Sequence, residues 1–161
     1  MILSHPLLRG CIVPTQENQA TIPHGSQRAG AVVARNFDGW PAEVLQEFHD
    51  NAHNFTVGQR IVSETEDLRV WEIRLDPGHR LPAHRHVLNY FWTAVSAGRS
   101  RQHEDDGTTR EVDYAEGDTR HFHFGPGEYL LHDLENIGQS QLVFVTVEHK
   151  SNIKQLKQQQ R

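Results

Sequence analysis

The chain alternates in short runs. In residues 69–75, Trp71, Ile73 and Leu75 share one parity and Glu72 and Arg74 the other. A period of two marks a strand with one face buried. Asp76-Pro77-Gly78 then breaks the chain. Residues 84–95 form one long run rich in β-branched and aromatic side chains and are read as strand. Residues 100–104 and 109–114 flank Asp105-Asp106-Gly107, a hairpin signal. Glu116-Gly117-Asp118 predicts another turn, and the short strand at 120–124 ends at Gly125-Pro126-Gly127. Residues 141–148, QLVFVTVE, are apolar on both parities, which predicts a central strand. One segment has helical spacing instead. In residues 41–51 Pro41 suits the first helical position, and Val44, Leu45 and Phe48 form one apolar stripe that would cap a sheet. Short strands between glycine-rich turns indicate an all-β sandwich or small barrel.

Residues 1–36 lack this periodicity and carry Pro6, Pro14 and Pro23. They read as an arm that packs on the domain or on a partner subunit. The expected organisation is an arm and short helix over 1–56, a barrel over 57–150 and a polar tail over 151–161. A chain of 161 residues suits one such domain with extensions. The net charge of −5 argues against a general nucleic-acid binder. No apolar run reaches membrane-spanning length, and residues 1–6 lack the basic start of a signal peptide. The single cysteine, Cys11, excludes an internal disulfide and fits a reducing compartment, so a cytoplasmic location is expected.

Composition changes the picture at one residue type, since the chain holds 12 histidines. His84 and His86 stand at i and i+2 and therefore point to one side of a strand. Counting on, Leu88, Tyr90, Trp92 and Ala94 share that side. Two imidazoles on an apolar interior face are costly unless something binds them. A metal ion satisfies both and leaves each second ring nitrogen for an outer partner. The competing reading, surface histidines on a solvated strand, conflicts with the apolar continuation of the face. His121 and His123 form a second same-face pair. His103, near the hairpin tip, is expected in solvent, and His79, in a loop, at a rim. One of Arg101 and Gln102 must face inward.

Gly78, His84, His86 and Gly98 resemble the first motif of the cupin superfamily, G-x5-H-x-H followed by a glutamate and a closing glycine. Gly117, Pro126, His132 and Asn136 resemble most of the second. There are two departures. Strand parity puts Tyr90 where the glutamate is expected, as in some small single-domain cupins. The stretch from Gly117 to His132 is four residues longer than the motif. The resemblance implies an all-β double-stranded β-helix, a jelly-roll barrel with an N-terminal arm and one short helix. It implies His84, His86 and His132 as metal ligands, with His121 or His123 as alternatives to His132.

Three neutral imidazoles bring no negative charge, which favours an anionic partner beside the metal and acidifies a bound water. Three protein ligands leave positions open, the arrangement of a catalytic centre. All-nitrogen ligation suits Fe(II), the first choice here, or Zn, Ni, Mn or Cu. The expected function is a metal-dependent enzyme, a dioxygenase, acting on a small organic acid or diketone-like substrate. Tyr90 would be catalytic, placing its hydroxyl by the metal. The alternatives are a non-catalytic module that binds a small acid or a metal, and a metal-free interaction barrel. A homodimer is expected, because cupin-like barrels pair through edge strands and the arm can cover such an edge. Neither nucleic acid nor membrane is expected as a partner.

Overall fold

The computed structural model describes residues 28–150. Residues 1–27 of the expected arm, Cys11 among them, and the 151–161 tail lie outside the described residues. The strands are β1 (Ala31–Ala34), β2 (Arg60–Glu64), β3 (Leu68–Leu75), β4 (Arg80–His86), β5 (Tyr90–Ala94), β6 (Gly98–His103), β7 (Thr109–Tyr114), β8 (Thr119–Phe122), β9 (Leu130–Asn136) and β10 (Leu142–His149). The one helix among them is α1 (Ala42–Asp50). Two five-stranded sheets form, ordered β1-β7-β6-β9-β4 and β2-β3-β10-β5-β8. Every pairing is antiparallel. The all-β jelly roll expected from the sequence is the architecture found.

β10 lies between β3 and β5, as its two-sided apolar character predicts. Its register sets Leu142 against Leu75 and Phe144 against Ile73. Leu75, Leu142, Phe144, Val112 and Leu134 join the two sheets in one core. Burying a leucine such as Leu75 or Leu142 stabilises the fold by about 2 kcal/mol. Gly98 fits closely here, because a Cβ would lie 2.9 Å from the tip of the Leu142 side chain, which would have to shift. Gly78 turns the chain into β4 at φ +79°, where a side chain is strained.

Helix α1 caps the outer face of the first sheet. Pro41 precedes it as the N-cap residue rather than occupying its first turn. Val44 and Phe48 pack with Trp40 on Ala83 of β4 and Leu131 of β9. Leu45 is exposed, so the buried stripe is narrower than the sequence suggests.

The run at 84–95 is not one strand. β4 ends at His86 in one sheet, and β5 begins at Tyr90 in the other. The segment between them passes from one sheet to the other and is pinned by Asn89. The Asn89 carbonyl accepts from the His149 N–H at 2.8 Å, and its side-chain oxygen accepts from the Phe124 N–H at 2.8 Å. Both sheets face the same interior, so Tyr90 still points inward.

Two local devices set the phase of the strands that matter most. In β4 the register slips between Leu81 and His84, which face Leu134 and His132 of β9. This bulge lets Leu81 and His84 both face the interior while Ala83 turns to the helix. Pro82, with no N–H to give, sits in the bulge. In β9 the terminal Asn136 is fully buried. It donates to the Leu75 and Ser140 carbonyls at 2.7 and 2.8 Å and accepts from the Gly138 N–H at 2.9 Å. The described end of the arm adds β1 alongside β7. Among the described residues no helix is long and apolar enough to cross a membrane.

Candidate metal centre

His84 and His86 reach the interior from β4, and His132 from the facing position on β9. One ring nitrogen from each lies within 4.8 Å of the others. His84 and His86 are buried, and His132 is partly buried. His121 and His123 are exposed, on and just beyond β8, and His79 is exposed in its loop. The extra length before His132 lies in the 123–129 loop, which keeps His132 on a regular strand.

The outer nitrogens decide what the inner ones can do. His84 Nδ1–H donates to the Pro82 carbonyl at 2.9 Å, so the bulge that aims the ring also holds its proton. His132 Nδ1–H donates to Gln102 Oε1 at 3.0 Å. Each ring therefore presents an unprotonated Nε2 inward. His86 Nε2 lies 3.2 Å from His132 Nε2, and His86 Nδ1 is buried without a partner. With no cation, either two lone pairs face each other or His86 turns its one proton to His132 and leaves Nδ1 bare. Burial drives all three imidazoles toward the neutral form, with His86 and His132 held well below the ordinary histidine range. Neutral, inward-pointing nitrogens of this kind fit a divalent transition metal.

Tyr90 is buried and enters from β5 in the opposite sheet. Its ring stacks on His86, with centroids 4.1 Å apart, and on Phe122 at 4.6 Å. Burial pushes its pKa far above the ordinary tyrosine value, so the hydroxyl keeps its proton. These groups line a cavity of about 50 Å³. That is space for about three to five waters, or a ligand of a few heavy atoms. Ile73, Leu134 and Phe144 supply much of the apolar wall.

Of the two candidates on β6, Gln102 faces inward. It also donates to the Tyr114 hydroxyl at 2.9 Å. Arg101 faces outward and pairs with Glu111 at 2.8 Å. Arg80 and Arg85 point away from the cavity. Arg80 joins Glu47 of α1 and Asp133, and Arg85 lies 3.7 Å over the Tyr129 ring.

His103, expected in solvent at the hairpin tip, is instead buried. Its strand runs beside β9, and the fully buried Asp133 accepts from His103 N–H at 2.6 Å and from Nδ1 at 2.8 Å. Asp133 also accepts from Arg80 at 2.7 Å, and Glu47 accepts from Arg80 and from the Ala83 N–H at 2.8 Å. This outer network braces β4 and β9 from behind, opposite the three histidines.

Three charged residues on the cavity wall, Arg28, Glu104 and Arg110, are not among those expected from the sequence. Parity held a signal for two of them. Glu104 continues the face of Ser100 and Gln102, and Arg110 that of Val112 and Tyr114. Arg28 precedes β1 and follows no pattern.

No family model and no curated protein matches the chain. Solved structures do. A cupin domain from Bordetella pertussis is 23% identical, with 56% of this chain and 90% of that one covered and a TM-score of 0.50. A double-stranded β-helix domain protein from Klebsiella pneumoniae is 23% identical over 63% of this chain and 85% of its own, with a TM-score of 0.46. A cupin from Methanocaldococcus jannaschii is 20% identical over 56% and 76%, with a TM-score of 0.45. With its two facing antiparallel sheets and its likeness to the Bordetella domain, the chain is a cupin-fold protein.

Proposed function

We propose that this protein is a metal-dependent cupin enzyme acting on a small organic acid or diketone-like substrate, and that its reaction is a dioxygenation. The observation that carries this reading is the convergence of three inward Nε2 atoms beside a small cavity that also contains a protonated phenol. His84, His86 and His132 would hold the metal, with Fe(II) the first choice ahead of Zn, Ni, Mn or Cu. Bound there, a divalent metal supplies Lewis acidity, and iron adds redox access to dioxygen.

The chain's own residues do the rest. The Pro82 carbonyl and Gln102 hold the Nδ1 protons of His84 and His132, which keeps both Nε2 atoms free and both rings in place. Tyr90 is the candidate catalytic residue. Its hydroxyl keeps its proton, so it acts as a hydrogen-bond donor to an oxygen of the substrate rather than as a base. Phe122, Trp92 and Phe144 keep bulk water from the reacting group. A homodimer paired through an edge strand, and a cytoplasmic location, belong to the same reading.

The test is elemental analysis of the purified protein, followed by oxygen uptake with a panel of small acids and diketones. Stoichiometric metal in the wild type, lost in His84→Ala and His86→Ala, is expected together with oxygen consumption. Full metal occupancy in both variants would refute the centre. Bound metal without turnover would leave the second reading, a module that captures a small acid.

A further inference from the structure

The cavity wall carries charge that the histidine centre does not use. Glu104, only 2% exposed, bridges two guanidiniums. Its Oε2 lies 2.6 Å from Arg28 Nη1 and its Oε1 3.0 Å from Arg110 Nε. The hairpin turn holds Glu104 rigidly, since its N–H donates to the Thr108 carbonyl and its carbonyl accepts from the Gly107 N–H, both at 2.9 Å. Among the described residues, these three are the charged side chains that line the cavity. Two guanidiniums thus face one carboxylate among the described lining residues. Asp106 also acts on both arginines, but it is exposed at the hairpin tip and outside the lining, where water screens it.

A charge in an apolar-walled cavity is costly unless a partner answers it. A guanidinium has five N–H donors in a planar fork that fits a carboxylate edge-on. Glu104 occupies only part of that capacity on either arginine. Arg28 is the better placed of the two, since its charge acts on His86, His132 and Tyr90.

We propose that Arg28, brought in by the segment before β1 and held by Glu104, is the residue that selects a carboxylate ligand for this cavity. The proposal rests on the cavity being the ligand site, as read above, but not on a bound metal. Specificity then comes from outside the barrel strands. A carboxylate would add charge-assisted hydrogen bonds to the Arg28 guanidinium beside the one that Glu104 makes. The cavity volume suits a small acid of about three carbons.

The experiment uses the full chain, 15N-labelled and stripped of metal with a chelator. It is titrated with propionate and with propionamide, a neutral molecule of the same size, and followed by NMR chemical shifts. Propionate is expected to bind about 10–100-fold more tightly than propionamide, the range for a hydrogen-bonded charge pair. Arg28→Gln is expected to erase that preference and Arg28→Lys to keep part of it. Metal content, measured on the same preparations before chelation, is expected to stay unchanged. Equal binding of the two probes by the wild type, undetectable propionate binding, or an intact preference in Arg28→Gln would each overturn the proposal. Stoichiometric metal with no carboxylate preference would sink this inference alone. Carboxylate preference in a protein that never takes metal would sink the metal centre alone.

Discussion

Replacing Gln102 with leucine tests how the third imidazole is held. The substitution removes the acceptor of His132 Nδ1–H and the donor to Tyr114, whose hydroxyl keeps its bond to Ser100 at 2.9 Å. In the metal-free protein His132 has an escape. It can shift its proton to Nε2 and donate to His86 Nε2, 3.2 Å away. A metal forbids that tautomer, so the metal-bound state bears one more buried N–H without a partner than the metal-free state, where of these two rings His86 Nδ1 alone lacks one. Such a group costs about 1–3 kcal/mol, which is about 5- to 150-fold in affinity. Outer partners of ligating histidines generally cost about 10–100-fold when removed. We therefore expect Gln102→Leu to weaken Co(II) binding by about 10–100-fold, measured by competition with a chromophoric chelator. Urea unfolding of the chelated protein should change by less than about 1 kcal/mol. Gln102→Glu should tighten binding, because a carboxylate makes the ring more basic. Affinity within twofold of wild type for Gln102→Leu, with Co(II) still lost from His84→Ala, would refute this reasoning.

Tyr90→Phe keeps the stacking on His86 and Phe122 and removes a hydroxyl that no described residue engages. Metal content should hold, while small-acid affinity or turnover falls about 2- to 10-fold, one ordinary hydrogen bond. Loss of metal would make Tyr90 a ligand instead. Glu148 accepts from Trp71 Nε1 at 2.8 Å, and burial pushes its carboxyl above the ordinary 4.5. Its raised value means the folded state holds the proton longer than the unfolded chain. The stability this adds is complete below the ordinary value and is lost as pH rises through the raised one. Glu148→Gln should therefore gain on wild type in urea unfolding as pH rises above the ordinary 4.5. A stability difference independent of pH would contradict this.

Much of the centre was legible because strand parity is a strong rule. His84 and His86 had to share a side, and their apolar continuation pointed inward. The same rule placed Trp71, Ile73 and Leu75 in the core. It succeeded at Tyr90 for a different reason than counting along one strand, since the chain changes sheets at 87–89 and the interior is common to both. What failed was non-local. His103 reads as a hairpin-tip residue until β9 sets Asp133 beside it, and nothing near His103 in sequence announces that pairing. Arg101 and Gln102 could not be ranked without knowing the register of β6, which its partners on β7 determine. Arg28 belongs to no periodic element, so only the folded chain shows where it goes.

In β9 the alternation that carries His132 inward carries Asp133 outward. Sliding that strand by one step would trade an imidazole for a carboxylate at the cavity and strip the outer brace of its acid in the same move. Asn136, knotted to three backbone groups at the strand's far end, works as the index pin against that error. The identity of the cluster is thus guarded four positions away from it, by an amide that touches none of the histidines.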